Sequence, residues 1–410
     1  MEKSPATKAK FLPYGRQHIF KNDIEAVCEV LKSDLITQGP VVPEFEKSLC
    51  DTLGAPYASA CANGTAALHL AVLALGIGAD DAVVTTPITF LSSANCARFV
   101  GAEVRFADID PDTALMDPNG LEAVLARDKN HKIKVIVPVH FGGHPLELPA
   151  IYELAQKHGA RVVDDACHAI GGSYENNGTR YRIGDGRFTD LTVFSFHPVK
   201  HIAMGEGGAV LTADPELAGK LALRRSHDMR KQDFINKDMA YSPDGEVNPW
   251  YYEMHELGYN YRLTEFQAAL GISQLGRLKG SVARRGEIAA LYRKLIAEKF
   301  SPDEVTPLKV QESVLHAYHL FVVRIAFDKF KTTRAKVMNY LRERDIGTQV
   351  HYIPVHLQPY YRRHCGTGPG DFPNAESYYE KALSLPMYPD LTDEDIARVV
   401  EELAGSLSRG

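Results

Sequence analysis

Short apolar runs alternate with amphipathic stretches between about residues 59 and 212. The apolar runs predict strands at residues 82–86, 103–107, 133–139 and 161–164. The stretches between and before them predict helices at residues 66–75, 91–99, 121–126 and 148–158. Because helices separate the strands, the pattern predicts a mostly parallel sheet with helices on both faces. In such sheets ligands bind at the carboxyl ends of the strands.

The pattern changes after about residue 263. Residues 263–298, rich in Ala, Leu and Arg, predict long helical structure with a break near Gly280. A strand, a helix and a strand are then predicted at residues 319–327, 335–344 and 348–351. The chain from Glu376 onward predicts helix, interrupted by a loop at residues 386–389. We therefore expect a smaller α/β domain that begins near residue 266.

One lysine follows a predicted buried strand. Residues 191–196 are apolar and β-branched or aromatic, Pro198 breaks regular structure, and Lys200 follows on the bend. Glycines at 205, 207 and 208 then let the backbone turn into a second strand. A lysine amine held between buried strands is the natural anchor for an aldehyde cofactor such as pyridoxal phosphate, PLP. Considered alone, the same lysine also fits an ordinary surface loop.

A second motif suits the phosphate of such a cofactor. Asn63, Gly64 and Thr65 stand at the start of a predicted helix, where unpaired backbone N–H groups bind phosphate readily. An ordinary helix cap is the alternative interpretation. Ser195, five residues before Lys200, adds a hydroxyl within reach of the same phosphate.

Acidic residues follow another predicted strand. A carboxylate at Asp164 or Asp165 could pair with the protonated pyridine nitrogen of PLP, although a solvent-facing strand end is the simpler interpretation. Phe90 follows a further strand and could stack on a planar ring, or belong to the core. The order of phosphate turn, carboxylate and lysine favours the PLP interpretation.

Composition narrows the function classes. The chain has 410 residues, 45% hydrophobic and 24% charged, with a net charge of −6. This balance is typical of a globular protein and argues against nucleic acid or an anionic membrane as a partner. No apolar run reaches the roughly 18 residues that span a bilayer. The N-terminus has no apolar core like that of a signal peptide, so we expect a cytoplasmic protein.

The sequence predicts no metal site. The six cysteines are scattered and form no C-x-x-C pair. His351 and His356 are five residues apart, with Pro354 between them, which is a poor arrangement for a metal pair. No dinucleotide-binding glycine pattern follows a predicted strand.

F-S-F-H-P-V-K at 194–200, with G-E-G-G at 205–208, resembles the lysine motif of the DegT/DnrJ/EryC1/StrS sugar aminotransferases. The resemblance runs nearly end to end. It implies PLP-dependent transferase fold type I: a large domain, residues 1–265, with a mostly parallel seven-stranded sheet, and a small α/β domain, residues 266–410. Segments 13–17, 36–40 and 250–262 resemble the branch that aminates a UDP-4-keto-6-deoxy-N-acetyl sugar in pseudaminic acid biosynthesis.

The resemblance also implies roles for individual residues. Lys200 would hold PLP and later move a proton. The other implied cofactor contacts are Asp165 with the ring nitrogen, His168 near the phenolic oxygen, Phe90 stacked on the ring, and Gly64, Thr65 and Ser195 with the phosphate. Asn260 would reach the phosphate of a neighbouring subunit, which implies a homodimer with shared active sites. The sugar pocket cannot be placed from the sequence, but four residues are candidates for its wall: Tyr14, His319, Tyr352 and His356.

Several functions fit this resemblance. The first is transfer of an amino group from L-glutamate to the UDP-4-keto sugar. Alternatives are a keto sugar of different C5 stereochemistry, a 3-keto sugar on another nucleotide, and a binding or regulatory dimer that keeps the fold without chemistry. A dehydratase of the same fold is disfavoured, because that branch carries histidine in place of the lysine.

Overall fold

The computed structural model describes residues 10–408. The strands are β1 Tyr57–Cys61, β2 Ala82–Thr85, β3 Glu103–Phe106, β4 Ile133–Val137, β5 Arg161–Asp165, β6 Ser173–Asn176, β7 Thr179–Arg182, β8 Leu191–Ser195, β9 Gly208–Thr212, β10 Met229–Arg230, β11 Glu253–Met254, β12 Val305–Pro307, β13 Val314–Leu315, β14 Phe321–Ile325 and β15 Ala382–Leu385.

The α-helices are α1 Lys21–Leu31, α2 Val41–Leu53, α3 Gly64–Ala74, α4 Ser92–Phe99, α5 Pro118–Ala126, α6 Leu148–His158, α7 Pro215–Arg224, α8 Lys237–Ala240, α9 Glu265–Leu275, α10 Leu278–Lys299, α11 Arg334–Arg342, α12 Pro359–Cys365, α13 Pro373–Lys381 and α14 Asp393–Leu407. Short 3₁₀ turns lie at Phe141–Gly143 and Val355–Leu357.

A seven-stranded sheet organises the larger part of the molecule. Its order is β1-β9-β8-β5-β4-β2-β3, and β9 alone runs antiparallel to its neighbours. The predicted α/β fold with a mostly parallel sheet is thus confirmed. The adjacent parallel strands β5 and β8 end at Asp165 and Ser195, so their last side chains reach the same edge of the sheet.

Helix α3 is apolar around most of its circumference. It packs against β8, β9, α4 and α7, so that nearly all of its residues are buried. A helix that is hydrophobic around its whole circumference is stable only when it is enclosed in this way. Its N-terminus is therefore held firmly against the edge where β5 and β8 end.

The predicted break in the long helix is present, but it lies at Arg277 rather than at Gly280. Gly280 lies inside α10, and the chain instead leaves helical geometry between α9 and α10, at Arg277 with φ −106° and ψ 2°. The Arg277 guanidinium donates two hydrogen bonds to the Asp23 carboxylate on α1, 2.6 and 2.8 Å long. This ion pair fixes the bend at Arg277. The sequence analysis had only Gly280 as a signal for a break in this region.

A three-stranded antiparallel sheet, β12-β14-β15, lies under α10, α11 and α14. Leucine, isoleucine and valine side chains from these elements form a separate apolar core. The predicted strand at 348–351 is wrong, because only Gln349 pairs, with Ser384 of β15. The rest of that segment leaves the sheet, and its next residues line the main cavity.

The predicted boundary between residues 265 and 266 falls where α9 begins. Helix α9 packs mainly on α1 and α2, whereas α10 packs on α14. The exact division between the domains stays a prediction. None of the helices between residues 10 and 408 combines the length and apolar character that crossing a bilayer requires.

Candidate active site

A cavity of about 650 Å³ opens at the carboxyl ends of β5 and β8. This is the edge at which parallel α/β sheets bind ligands. Most of the predicted site residues line it: Tyr14, Gly64, Thr65, Phe90, Asp165, His168, Ser195, Lys200, His319 and Tyr352. The cavity therefore brings together residues that are far apart in the sequence.

The N-terminus of α3 forms one end of the cavity. The Asn63 carboxamide oxygen accepts a hydrogen bond from the Ala66 amide, 2.8 Å long. The amides of Gly64 and Thr65 have no partners within the helix, since they belong to its first turn. A Cβ atom at residue 64 would lie 2.8 Å from the Cβ of Ser195, so only glycine allows this approach. Two free amides and a hydroxyl suit the phosphate of PLP.

The glycine of β9 at residue 208 supports the same end. A Cβ atom there would lie 2.4 Å from the backbone of Asn63. Only glycine therefore lets β9 pass behind the helix cap. The G-E-G-G motif thus has a packing role in addition to forming the turn after Lys200.

Asp165 ends β5 and is held by two contacts. Its Oδ2 accepts a hydrogen bond from Ser93 Oγ, 2.6 Å long, and its Oδ1 accepts one from the Cys167 amide, 3.2 Å long. Ser93 Oγ also contacts Thr89 Oγ1 at 2.7 Å. Sequence reasoning missed Ser93, although its place two residues into the helix that follows Phe90 was a usable signal. A fixed carboxylate here suits the protonated ring nitrogen of PLP.

Lys200 is half-buried on the turn after β8. Its backbone amide donates to the His197 carbonyl at 2.8 Å. Burial lowers the pKa of Lys200 to about 8, although the nearby Cys167 and Asp165 oppose this effect. The Nζ atom lies 3.4 Å from His319 Nε2. The neutral amine, which attack on an aldehyde requires, is therefore far more populated near physiological pH than in an ordinary lysine.

Two neutral histidines lie beside the lysine. Burial, together with the charge of Lys200, holds the pKa values of His168 and His319 well below the usual range. Their ring centroids are 4.3 Å apart. Nδ1 of His168 accepts a hydrogen bond from the Gly142 amide, and its Nε2 lies 3.2 Å from the Tyr352 hydroxyl.

A further buried pair supports the strand end from behind. His140 Nε2 lies 2.9 Å from a carboxylate oxygen of Asp164, and both side chains are fully buried. His140 Nδ1 accepts a hydrogen bond from the Leu146 amide at 2.8 Å, so Nε2 carries the proton and donates to Asp164. Burial raises the pKa of Asp164, and the contact with His140 opposes this shift. Sequence reasoning missed His140, which directly follows a predicted strand.

The structure corrects the expectation for His356. The turn Val355–Leu357 directs its ring away from the cavity, where it is fully buried against Phe106 and Phe372. Its Nε2 bonds to Glu376 at 3.1 Å. His351 lines the cavity in its place. Asn260 is exposed outside this cavity and pairs with Ser226, so its predicted role toward a second subunit stays a prediction.

Within residues 10–408 no group of three or more His, Cys, Asp or Glu side chains could hold a metal ion. The six cysteines are free. The functional groups that converge at the cavity include an amine, a carboxylate, two neutral imidazoles and the N-terminus of α3.

The sequence pattern of the DegT/DnrJ/EryC1/StrS aminotransferase family matches residues 17–404. The spore coat polysaccharide biosynthesis protein SpsC of Bacillus subtilis is 42% identical over 392 residues, which cover 95% of this chain and 96% of SpsC. The uncharacterized protein MJ1066 of Methanocaldococcus jannaschii is 38% identical over 96% of this chain and 97% of its own length.

Solved structures agree. Helicobacter pylori PseC, an aminotransferase involved in the biosynthesis of pseudoaminic acid, superposes with a TM-score of 0.85 at 31% identity, covering 98% of this chain and all of PseC. The putative sugar aminotransferase Spr1654 of Streptococcus pneumoniae, in its PMP form, gives a TM-score of 0.84 at 26% identity, covering 97% of this chain and 99% of its own. The chain therefore belongs to the DegT/DnrJ/EryC1/StrS family and is a PLP-dependent sugar aminotransferase.

Proposed function

We propose that this enzyme transfers an amino group from L-glutamate to C4 of a UDP-4-keto-6-deoxy-N-acetylhexosamine. The product is a UDP-4-amino-4,6-dideoxy sugar for biosynthesis of pseudaminic acid or a related nonulosonate. The observation that carries the chemistry is the convergence of Lys200, Asp165 and the α3 N-terminus on one cavity. The substrate is supported by the likeness to PseC over nearly the whole chain.

When bound, PLP supplies an electron sink that stabilises negative charge at the reacting carbon. Lys200 would hold the cofactor through its aldehyde carbon. Its free amine would then be the base that moves the proton at Cα of glutamate. The lowered pKa of Lys200, about 8, suits an amine that must accept and release a proton near neutral pH.

The other residues orient the cofactor. Asp165 would accept a hydrogen bond from the protonated ring nitrogen and keep the ring cationic, while Ser93 fixes the carboxylate. Gly64, Thr65 and Ser195 would bind the phosphate. Phe90 is 56% exposed at the cavity, which leaves its ring face free to stack on the cofactor. By the same resemblance, His168 would lie near the phenolic oxygen of the cofactor.

A homodimer with shared active sites completes the proposal. Several large apolar side chains between residues 229 and 257 are exposed, led by Ile235 at 76% and Trp250 at 75%. Exposed apolar clusters of this kind are typical of protein interfaces. Asn260 follows this segment and would contact the phosphate in the second subunit. The free cysteines fit a reducing compartment, and we place the enzyme in the cytoplasm.

A second candidate substrate is a different nucleotide-linked keto sugar. The observation that favours it is the 42% identity to SpsC, whose name refers to spore coat polysaccharide rather than to pseudaminic acid. This candidate shares the cofactor chemistry and differs only in the sugar that the cavity accepts.

A titration of the holoenzyme separates the candidates. L-glutamate should convert the visible absorbance of bound PLP to that of pyridoxamine phosphate, the PMP form of the cofactor. A panel of UDP-linked keto sugars is then added to the washed PMP form. Return of the PLP band with the 4-keto-6-deoxy-N-acetyl sugar only would support the first candidate. Return with another sugar only would support the second, and a PLP band indifferent to glutamate and every other amino donor would contradict both.

A further inference from the structure

The hydrogen bonds around His168 fix which of its ring nitrogens carries the proton. The Gly142 amide lies 3.3 Å from Nδ1, and an amide nitrogen can only donate. The ring is neutral, because burial and the charge of Lys200 lower its pKa well below the usual range. A neutral imidazole that accepts at Nδ1 must carry its hydrogen on Nε2.

The direction of the next hydrogen bond follows. His168 Nε2 lies 3.2 Å from the Tyr352 hydroxyl, so Nε2–H donates and the phenolic oxygen accepts. The hydrogen of Tyr352 is left for another acceptor. Among residues 10–408 this hydroxyl makes no other hydrogen bond, and Tyr352 lines the cavity. An oxygen that accepts one hydrogen bond is also a stronger donor of its own hydrogen.

Tyr352 is held in place and stays protonated. Its ring packs against His351 at 4.9 Å and Phe141 at 6.2 Å between centroids. Burial, with the negative charge of Asp165 nearby, raises the pKa of Tyr352. The side chain is therefore a fixed neutral donor rather than a source of negative charge.

The donor and the reacting amine line the same cavity. His319 Nε2 is 3.4 Å from Lys200 Nζ, and the His319 ring contacts that of His168, which bonds to Tyr352. Lys200 and Tyr352 thus stand at the two ends of one continuous group of side chains.

We infer that Tyr352 is a catalytic residue of the sugar half-reaction, whose hydroxyl, oriented by His168 and the Gly142 amide, donates a hydrogen bond to the keto oxygen of the sugar. This inference rests on the proposed function. When an amine nitrogen adds to the carbonyl carbon, a C–N bond forms and the π electron pair of C=O moves to the oxygen. A preorganised donor stabilises the negative charge that develops there.

The test compares the two half-reactions of Tyr352→Phe in the holoenzyme by single-turnover absorbance. Conversion of the PLP form by glutamate involves no keto sugar and should change less than about threefold. Reaction of the PMP form with the keto sugar should slow on the order of 100-fold, the cost of losing one such donor. Tyr361→Phe is the matched control, since it removes a buried hydroxyl that bonds to Asn95 and does not line the cavity.

Substitutions at His168 test the orientation. A glutamine there could accept from Gly142 with its carbonyl and donate to Tyr352 with its amide, whereas methionine could donate nothing. His168→Gln should therefore slow the sugar half-reaction less than His168→Met. The ¹⁵N resonances of His168 in the cofactor-free protein provide a readout independent of activity, and should show a hydrogen on Nε2 alone.

Each contrary result is distinct. Equal slowing of both half-reactions in Tyr352→Phe would show that the hydroxyl has only a structural role, and would overturn the inference. A change in the absorbance of bound PLP without substrate would place the hydroxyl on the cofactor, and overturn it too. A hydrogen on Nδ1 of His168 would contradict the hydrogen-bond directions on which the inference rests. If no keto sugar reoxidises the wild-type PMP form, the proposed function fails, and with it the acceptor named here.

Discussion

The floor and the wall of the cavity are built in different ways. The floor consists of Gly64, Asp165, Ser195 and Lys200, which come from a helix start, two strand ends and the turn after a strand. Regular hydrogen bonding fixes these positions, because β5 and β8 are adjacent parallel strands in register. Groups that must meet one cofactor are thus carried by the most rigid part of the fold.

The wall is formed by irregular backbone. The segment from Gln349 to Tyr352 is held by side chains: Tyr378 donates to the His351 carbonyl at 2.6 Å, and His351 Nδ1 bonds to Ser384 Oγ at 2.8 Å. Tyr14 comes from the opposite end of the chain. The comparison teaches that the groups for the cofactor chemistry lie on the sheet, whereas the segments that we propose to meet the sugar can vary without disturbing the sheet.

The largest expected loss of activity comes from a substitution in the floor of the cavity. Lys200→Ala removes both the anchor of the cofactor and the base, so turnover should fall at least about 10⁴-fold while the fold is kept. Steady-state transamination with glutamate measures the loss. Lys220→Ala, which removes an exposed partner of Glu216, is the control and should be indistinguishable from wild type. Near-normal turnover of Lys200→Ala would disprove the assignment.

The same contrast shows what sequence patterns can predict. The strand ends at Asp165 and Ser195 lie within one residue of the ends that the apolar runs predict. Because β5 and β8 are paired in register, this linear pattern also predicts which side chains lie close together. The wall followed only in part: Tyr14, His319 and Tyr352 line the cavity as predicted. The backbone at 348–351 was mispredicted, since Gln349 makes only a single bridge to Ser384 and the segment then leaves the sheet. The bend at Arg277 was misplaced for a similar reason: its cause is an ion pair with Asp23, more than two hundred residues away in the sequence.

His140 and Ser93 were missed for another reason. Each acts by orienting a carboxylate, Asp164 or Asp165, through a single hydrogen bond between elements distant in sequence. Periodicity carries information about which face of an element is buried, and none about such pairings. By contrast, the lysine turn was predicted because all of its signals, Pro198 and the three glycines, are local.

A smaller effect, on the pH dependence of PLP uptake, tests the protonation state of Lys200 in the floor of the cavity. Only the neutral amine of Lys200 can attack an aldehyde, and burial lowers its pKa to about 8. The rate at which cofactor-free protein takes up PLP should therefore rise about tenfold per pH unit below pH 8 and level off above it. Appearance of the PLP absorbance band measures this rate, with Lys200→Ala as the blank. A rate that keeps rising to pH 10, as for an ordinary lysine, would show that burial does not depress this pKa.

The smallest effect on catalysis is expected at His356, which tests where the wall ends. His356→Ala removes a fully buried ring and its bond to Glu376, so the free energy of unfolding should fall by about 2–3 kcal/mol. KM for the keto sugar should stay within about twofold of wild type, because the ring does not line the cavity. His356→Gln, which can still bond to Glu376, should lose less stability. Urea unfolding and steady-state kinetics measure the two quantities. A raised KM for the keto sugar with an unchanged free energy of unfolding would show that His356 does contribute to the sugar pocket. The sugar would then extend beyond the cavity, past the turn Val355–Leu357.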